Sequence, residues 1–238
     1  MLAWAIALTL VVSRLEVQAQ SSKVFTNVAT NSAAPAGPGP VHGIAAPLSG
    51  MLYFGFDAGV AFQHDIKLSD TAGDSETVAF DPGFRMDCAV GYNFTTNWAA
   101  EFAFGFIANQ VQYSYALGTD YSVVDLFQFP LMVNVIYARP LGKRCSVYAG
   151  GGIGVVFAFY ENQYYYTTPT ASTFGYQGMA GIKFALNTQW DIGVGYKFLG
   201  TTGYDVGSGV SYDGSTRTEY KSDGNMTQSI QLTITCRY

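Results

Sequence analysis

From Leu52 to the final residue, Tyr238, apolar and polar side chains alternate along the chain. That period of two is the mark of strands with unlike faces. It is cleanest at the end. Ile230, Leu232, Ile234, Cys236 and Tyr238 share one face, and Gln231, Thr233, Thr235 and Arg237 share the other. The pattern predicts seven earlier strands, over 53–63, 84–94, 98–106, 127–137, 146–159, 174–184 and 190–198. In the first, Phe54, Phe56, Ala58, Val60 and Phe62 oppose Tyr53, Gly55, Asp57, Gly59, Ala61 and Gln63.

The connections are of two kinds. Thr95–Asn97, Arg139–Lys143 and Asn187–Gln189 are short, whereas His64–Asp81, about Tyr113–Val123, Tyr160–Thr173 and Gly200–Gly224 are long and read as loops. Short turns regularly alternating with long connections fit an up-and-down antiparallel barrel that crosses a membrane. In such barrels the short turns face the periplasm and the long loops the exterior. A strand at the very terminus of the chain also fits closure, because pairing the last strand with the first leaves no edge.

Alternation alone does not separate this barrel from a soluble one with its faces inverted. Composition does. The face opposite the large apolar residues is built of Gly, Ala, Asp, Asn and Gln, which suits the narrow inside of a small barrel and lacks the Lys, Glu and Thr density of a water-facing exterior. The chain is 49% hydrophobic, 16% aromatic and only 12% charged, against roughly 25% charged in an ordinary soluble domain. After residue 20 no apolar run approaches the ~20 residues of a membrane helix, so any crossing is by strands. Aromatic residues gather beside the short turns: Tyr92, Phe94, Trp98, Tyr137, Phe184, Trp190 and Tyr238. They form a candidate interface girdle, since amphipathic rings settle at the membrane boundary.

Met1–Ala19 reads as a cleaved secretory leader, with an apolar core over Leu2–Val12 and small residues before the cut, although its start lacks a positive charge. Residues 20–50 are rich in Ala, Pro, Ser and Gly without a period and read as a disordered periplasmic linker ahead of a barrel over 51–238. The three cysteines, Cys88, Cys145 and Cys236, have neither CxxC spacing nor a neighbouring His. They read as small apolar residues.

Two further stretches carry a resemblance. Phe129-Pro130-Leu131-Met132-Val133-Asn134-Val135 with Val147-Tyr148-Ala149-Gly150-Gly151-Gly152-Ile153-Gly154 resembles the middle hairpin of the opacity-protein-like, eight-stranded outer-membrane β-barrel family. Gly175–Lys183 is similar to its sixth strand, and the alternating last strand with its terminal aromatic is similar to the family's chain end. The resemblance covers about residues 50–238 and implies a cell outer-membrane location in a Gram-negative bacterium. It also implies that the assembly machinery reads the terminal strand, and it carries no catalytic content.

The residues themselves offer little chemistry. After the leader the histidines are His42 and His64, too few for a Ser–His–acid site outside one loop end, so no enzyme activity and no cofactor or metal is expected. Gly150–Gly154 lacks the Lys-Ser/Thr of a phosphate loop and lies mid-strand, where glycine makes room for a bulky neighbour. The net charge of −5 argues against nucleic acid. On the inward face, Asp57, Asp87, Glu101 and Asp191 balance Arg85, Lys183, Lys197 and Arg237, and charges enclosed together pair. Lys183, Asp191, Arg237 and Glu101 are expected to share one layer near the short turns. A plugged interior with a structural or cell-surface role is therefore expected, with a narrow channel for small solutes as the alternative. Tyr160, Tyr164, Tyr165 and Tyr166 are candidates for contact with an extracellular ligand. The expected surroundings are lipid and lipopolysaccharide, with the protein as a monomer.

Overall fold

The computed structural model describes residues 49–70, 75–113, 124–162, 170–210 and 217–238. Residues 1–48, which hold the predicted leader and most of the predicted linker, lie outside the described residues, as do Tyr164, Tyr165 and Tyr166. Tyr160 falls in a strand, but nothing is described of its side chain.

The strands run in chain order as β1 (Met51–Gln63), β2 (Ile66–Asp70), β3 (Ser75–Phe80), β4 (Gly83–Asn93), β5 (Trp98–Tyr113) and β6 (Val124–Pro140). They continue as β7 (Cys145–Asn162), β8 (Thr170–Ala185), β9 (Trp190–Thr201), β10 (Tyr204–Val210), β11 (Arg217–Ser222) and β12 (Met226–Arg237). Eight of them close an antiparallel ring, β1-β4-β5-β6-β7-β8-β9-β12, with the last strand returning to the first from Tyr53↔Arg237 to Gln63↔Thr227. The ring matches the eight strands expected from the alternation.

The short turns are pinned by their own side chains. Thr95 Oγ1 accepts from the backbone N–H groups of Asn97 and Trp98 at 3.2 and 2.9 Å. Asn187 Oδ1 accepts from those of Gln189 and Trp190 at 2.8 and 2.9 Å. These local bonds stand in for a backbone turn and fix both hairpin registers.

Two long connections are not loops throughout. β2 and β3 pair within the first, β10 and β11 within the last, and β11 pairs with β2 while β3 joins β5. The resulting small sheet carries Ile66, Leu68, Val78 and Tyr204 on the side packed against Val111, Leu126, Ala158 and Ala171. These strands are short and of mixed charge, and their alternation has meaning only once the tall strands supply an apolar surface to cover.

Pro130 interrupts the ladder. β5 and β6 pair from Trp98↔Tyr137 to Phe104↔Leu131 and resume at Ile107↔Gln128, skipping the Gly105–Pro130 and Phe106–Phe129 steps. Proline has no N–H to donate, and Gly105 faces it where a Cβ would come within 2.7 Å of the Pro130 ring. Outward, the barrel shows Phe54, Phe102, Val133, Ile153, Ile182, Val194 and Leu232, all exposed. Inward, the same strands bury polar and charged residues.

Candidate functional site: the layered interior of the barrel

From the short-turn end upward the interior is a stack of alternating polar and apolar layers. At the mouth, Arg237 on β12 pairs with Asp191 on β9. Lys183 on β8 donates to Thr235 Oγ1 at 3.0 Å, with its ammonium 5.7 and 5.1 Å from the ring centroids of Tyr53 and Tyr148. These groups border a cavity of about 40 Å³ that also touches Asn93, Asn97 and Ser146. Above it lies an apolar layer of Tyr53, Ala99, Ile136, Tyr148 and Met179. Two glycines make room for the Tyr148 ring: a Cβ at Gly181 or Gly195 would stand 2.7 or 2.3 Å from it or its hydroxyl.

Mid-depth holds one connected polar network. Asp87 accepts from Arg85 Nε at 3.0 Å, Lys197 Nζ at 2.9 Å and Gln231 Nε2 at 2.8 Å. Lys197 also reaches Asp57 at 2.6 Å. From Arg85 the chain continues through Gln177 Oε1 at 3.2 Å, then Gln177 Nε2 to Asn134 Oδ1 at 2.6 Å. Asn134 Nδ2 and the Tyr53 hydroxyl then donate to the two oxygens of Glu101, each at 3.0 Å. The members come from β1, β4, β5, β6, β8, β9 and β12. The remaining ring strand, β7, contributes space, because a Cβ at Gly152 would fall 2.0 Å from Asn134 Oδ1. Asp87 and Glu101 are each tied down by more than one donor, the condition under which buried charge is tolerated, whereas Asp57 takes Lys197 alone and its Oδ1 is buried without a partner among the described residues.

Higher still come the apolar layer Ala61, Ile107, Met132, Val156 and Leu199, then a polar one. There Gln128 donates to Gln63 Oε1 at 3.0 Å and Thr227 to the same oxygen at 2.5 Å. The core under the small β2–β3–β10–β11 sheet closes the stack.

The eight charged residues singled out in the sequence all face inward: Lys183 is half-buried and the other seven are buried. One expectation needs correction. Glu101 does not share the mouth layer with Lys183, Asp191 and Arg237; it sits deeper, paired in register with Asn134. Strands in a barrel are tilted and staggered, so equal distance from a turn does not mean equal depth across the lumen. The neutral members Tyr53, Asn134, Gln177 and Gln231 were missed as site residues. Their signal was present, as amides and a tyrosine on the inward face in register with the charges.

The seven girdle aromatics, Tyr92, Phe94, Trp98, Tyr137, Phe184, Trp190 and Tyr238, are exposed on the outer face. Trp98 and Tyr137 lie 5.0 Å apart, and Phe54 and Tyr238 meet edge-on at 6.0 Å. His64 is exposed and meets Gln228 at 2.7 Å, and Cys88 is exposed on the apolar face.

An apolar outer wall around a polar interior, closed by pairing the last strand with the first, defines a transmembrane β-barrel. Residues 43–218 match the outer membrane protein beta-barrel domain, and the chain belongs to that family, whose members lie in the outer membrane. No curated protein sequence matches the chain. Among solved structures it is similar to the outer membrane protein OprG from Pseudomonas aeruginosa, with 16% identity, 81% of this chain and 98% of that one covered, and a TM-score of 0.60. It is also similar to the outer membrane protein AlkL in lipid bilayers, with 14% identity, 88% and 97% covered, and a TM-score of 0.52. At these identities the likeness is one of fold.

Proposed function

We propose that this protein is a plugged outer-membrane barrel with a structural or cell-surface interaction role rather than a conduit or an enzyme. In this reading a leader over residues 1–19 is removed during export. The short turns lie in the periplasm, and the long connections face the exterior. The apolar wall sits in lipid with lipopolysaccharide outside it, and the aromatics beside the short turns mark the inner boundary. Tyr160, Tyr164, Tyr165 and Tyr166 are the residues proposed to meet an extracellular ligand. The assembly machinery engages β12, and the protein works as a monomer because ring closure leaves no strand edge to share.

One observation supports the plugged interior above all. The mid-depth network links seven of the eight ring strands through bonds of 2.6–3.2 Å, and apolar layers lie directly above and below it. Opening a path would expose paired charges to one another's loss, which costs several kcal/mol for each broken buried pair. Planar-bilayer recording of refolded protein tests the reading. Silence across the accessible voltage range is expected. Steady single-channel steps would replace it with the narrow solute channel.

A further inference from the structure

Among the described residues, three of the four inward-facing cations have a carboxylate within ion-pair distance: Arg85 with Asp87, Lys197 with Asp57 and Asp87, and Arg237 with Asp191. Lys183 does not. Its ammonium carries three N–H donors, and its hydrogen bond goes to Thr235 Oγ1 at 3.0 Å. The Tyr53 and Tyr148 rings hold it from above and orient it without neutralising it. The inward carboxylate left over is Glu101, whose oxygens take the Tyr53 hydroxyl and the Asn134 amide on the far side of that tyrosine.

Lys183 borders the mouth cavity of about 40 Å³ together with the Arg237–Asp191 pair and the buried Ser146. Within the lining Arg237 and Asp191 pair with each other, and Lys183 is the cation with no carboxylate in ion-pair distance. The volume corresponds to roughly three water molecules by the space a water needs, which is the size of one carboxylate or phosphate group. Outside the cavity, Arg139 at the end of β6 and Lys143 and Arg144 in the β6–β7 turn are exposed and add a positive field that draws anions to this end.

We propose that the mouth of the barrel at its short-turn end is an oxyanion site that takes a single carboxylate or phosphate group on Lys183. The group accepts from the free ammonium N–H donors and from the Ser146 hydroxyl, while the two tyrosine rings close the cavity behind it. The charge-assisted bond supplies the affinity. A group with one negative charge matches the lining. A larger polyanion fits only by presenting one such group at its tip.

The test is a residue-resolved amide NMR titration of the full barrel in micelles with sodium acetate and with inorganic phosphate, at ionic strength held constant with sodium chloride. Saturable shifts at Ser146, Lys183 and Thr235 are expected. Lys183→Gln should weaken the binding by about tenfold or more, and Lys221→Gln, at the opposite end, should leave it unchanged. N-acetyl-dialanine and its methyl ester distinguish the source of the group. Tighter binding of the free acid than of acetate marks a carboxylate borne on a chain, and equal binding marks a free small anion; the ester should not bind. Shifts that fail to saturate, that gather at Arg139, Lys143 and Arg144, or that persist in Lys183→Gln would overturn the site. The wild-type map decides the matter even if the variant does not fold.

Discussion

At the scale of single residues, the interior separates buried from exposed charge. Asp191 is 2% exposed and pairs with Arg237, whereas Asp205 stands largely in solvent, 3.8 Å from Lys221. Breaking the first pair leaves a guanidinium buried without its partner, so Asp191→Asn should cost on the order of 3–5 kcal/mol. Asp205→Asn should change stability by less than about 0.5 kcal/mol. Guanidinium unfolding from lipid vesicles checks both, and equal effects would contradict the buried pair. Glycine offers a second contrast. A Cβ at Gly152 would meet the Asn134 amide at 2.0 Å and the Val133 carbonyl at 2.4 Å, while one at Gly178 would meet nothing within 4 Å. Gly152→Ala should therefore destabilise by about 1–3 kcal/mol, and Gly178→Ala should be neutral or gain up to ~1 kcal/mol through a less free unfolded chain, read by the same unfolding curves. Alternation made the face of every charged residue legible in the sequence. It did not give depth, so Glu101 was expected in the wrong layer, and neutral amides such as Asn134 and Gln177 looked like filler until the network joined them.

At the scale of elements, the ring strands were legible because each repeats its two faces over at least 11 residues, as β4 does from Gly83 to Asn93. β2 and β11 have 5 and 6 residues, and besides their hairpin partners β3 and β10 they pair with each other, across most of the chain. No local signal announces such a pairing. β12 is the element that completes the barrel, running beside β1 on one side and β9 on the other. The residue after it, Tyr238, donates its backbone N–H to the Leu52 carbonyl at 2.9 Å, and its exposed ring meets Phe54 edge-on at 6.0 Å. Such a contact is worth about 0.5–1.5 kcal/mol, too little to decide whether the finished barrel stands. Tyr238→Ser should thus lower the yield of membrane-inserted protein in cells far more than it lowers the unfolding midpoint of the purified barrel. Normal insertion of the variant would remove the terminal aromatic as an assembly signal.

At the scale of the whole molecule, the two ends differ in charge as well as in connection length. The short-turn end exposes Arg139, Lys143 and Arg144, while the other end exposes Asp65, Asp205 and Asp223 beside Lys67 and Lys221. In transmembrane barrels the short turns face the periplasm and the long connections the exterior, which puts the basic end here on the periplasmic side. The orientation has a direct check. In a background with Cys88, Cys145 and Cys236 replaced by Ser, cysteine is placed either at Asp205, on the exposed side of β10, or at Asn187, in the turn between β8 and β9; both positions are exposed. A membrane-impermeant maleimide added to intact cells should label Asp205→Cys to near completion and Asn187→Cys only after the cells are broken. Asn187 Oδ1 holds its turn through two backbone N–H groups, so Thr188→Cys serves as a second reporter that leaves those bonds in place. Labelling of both turn positions in intact cells, with Asp205→Cys protected, would invert the barrel and put the Lys183 cavity at the cell surface.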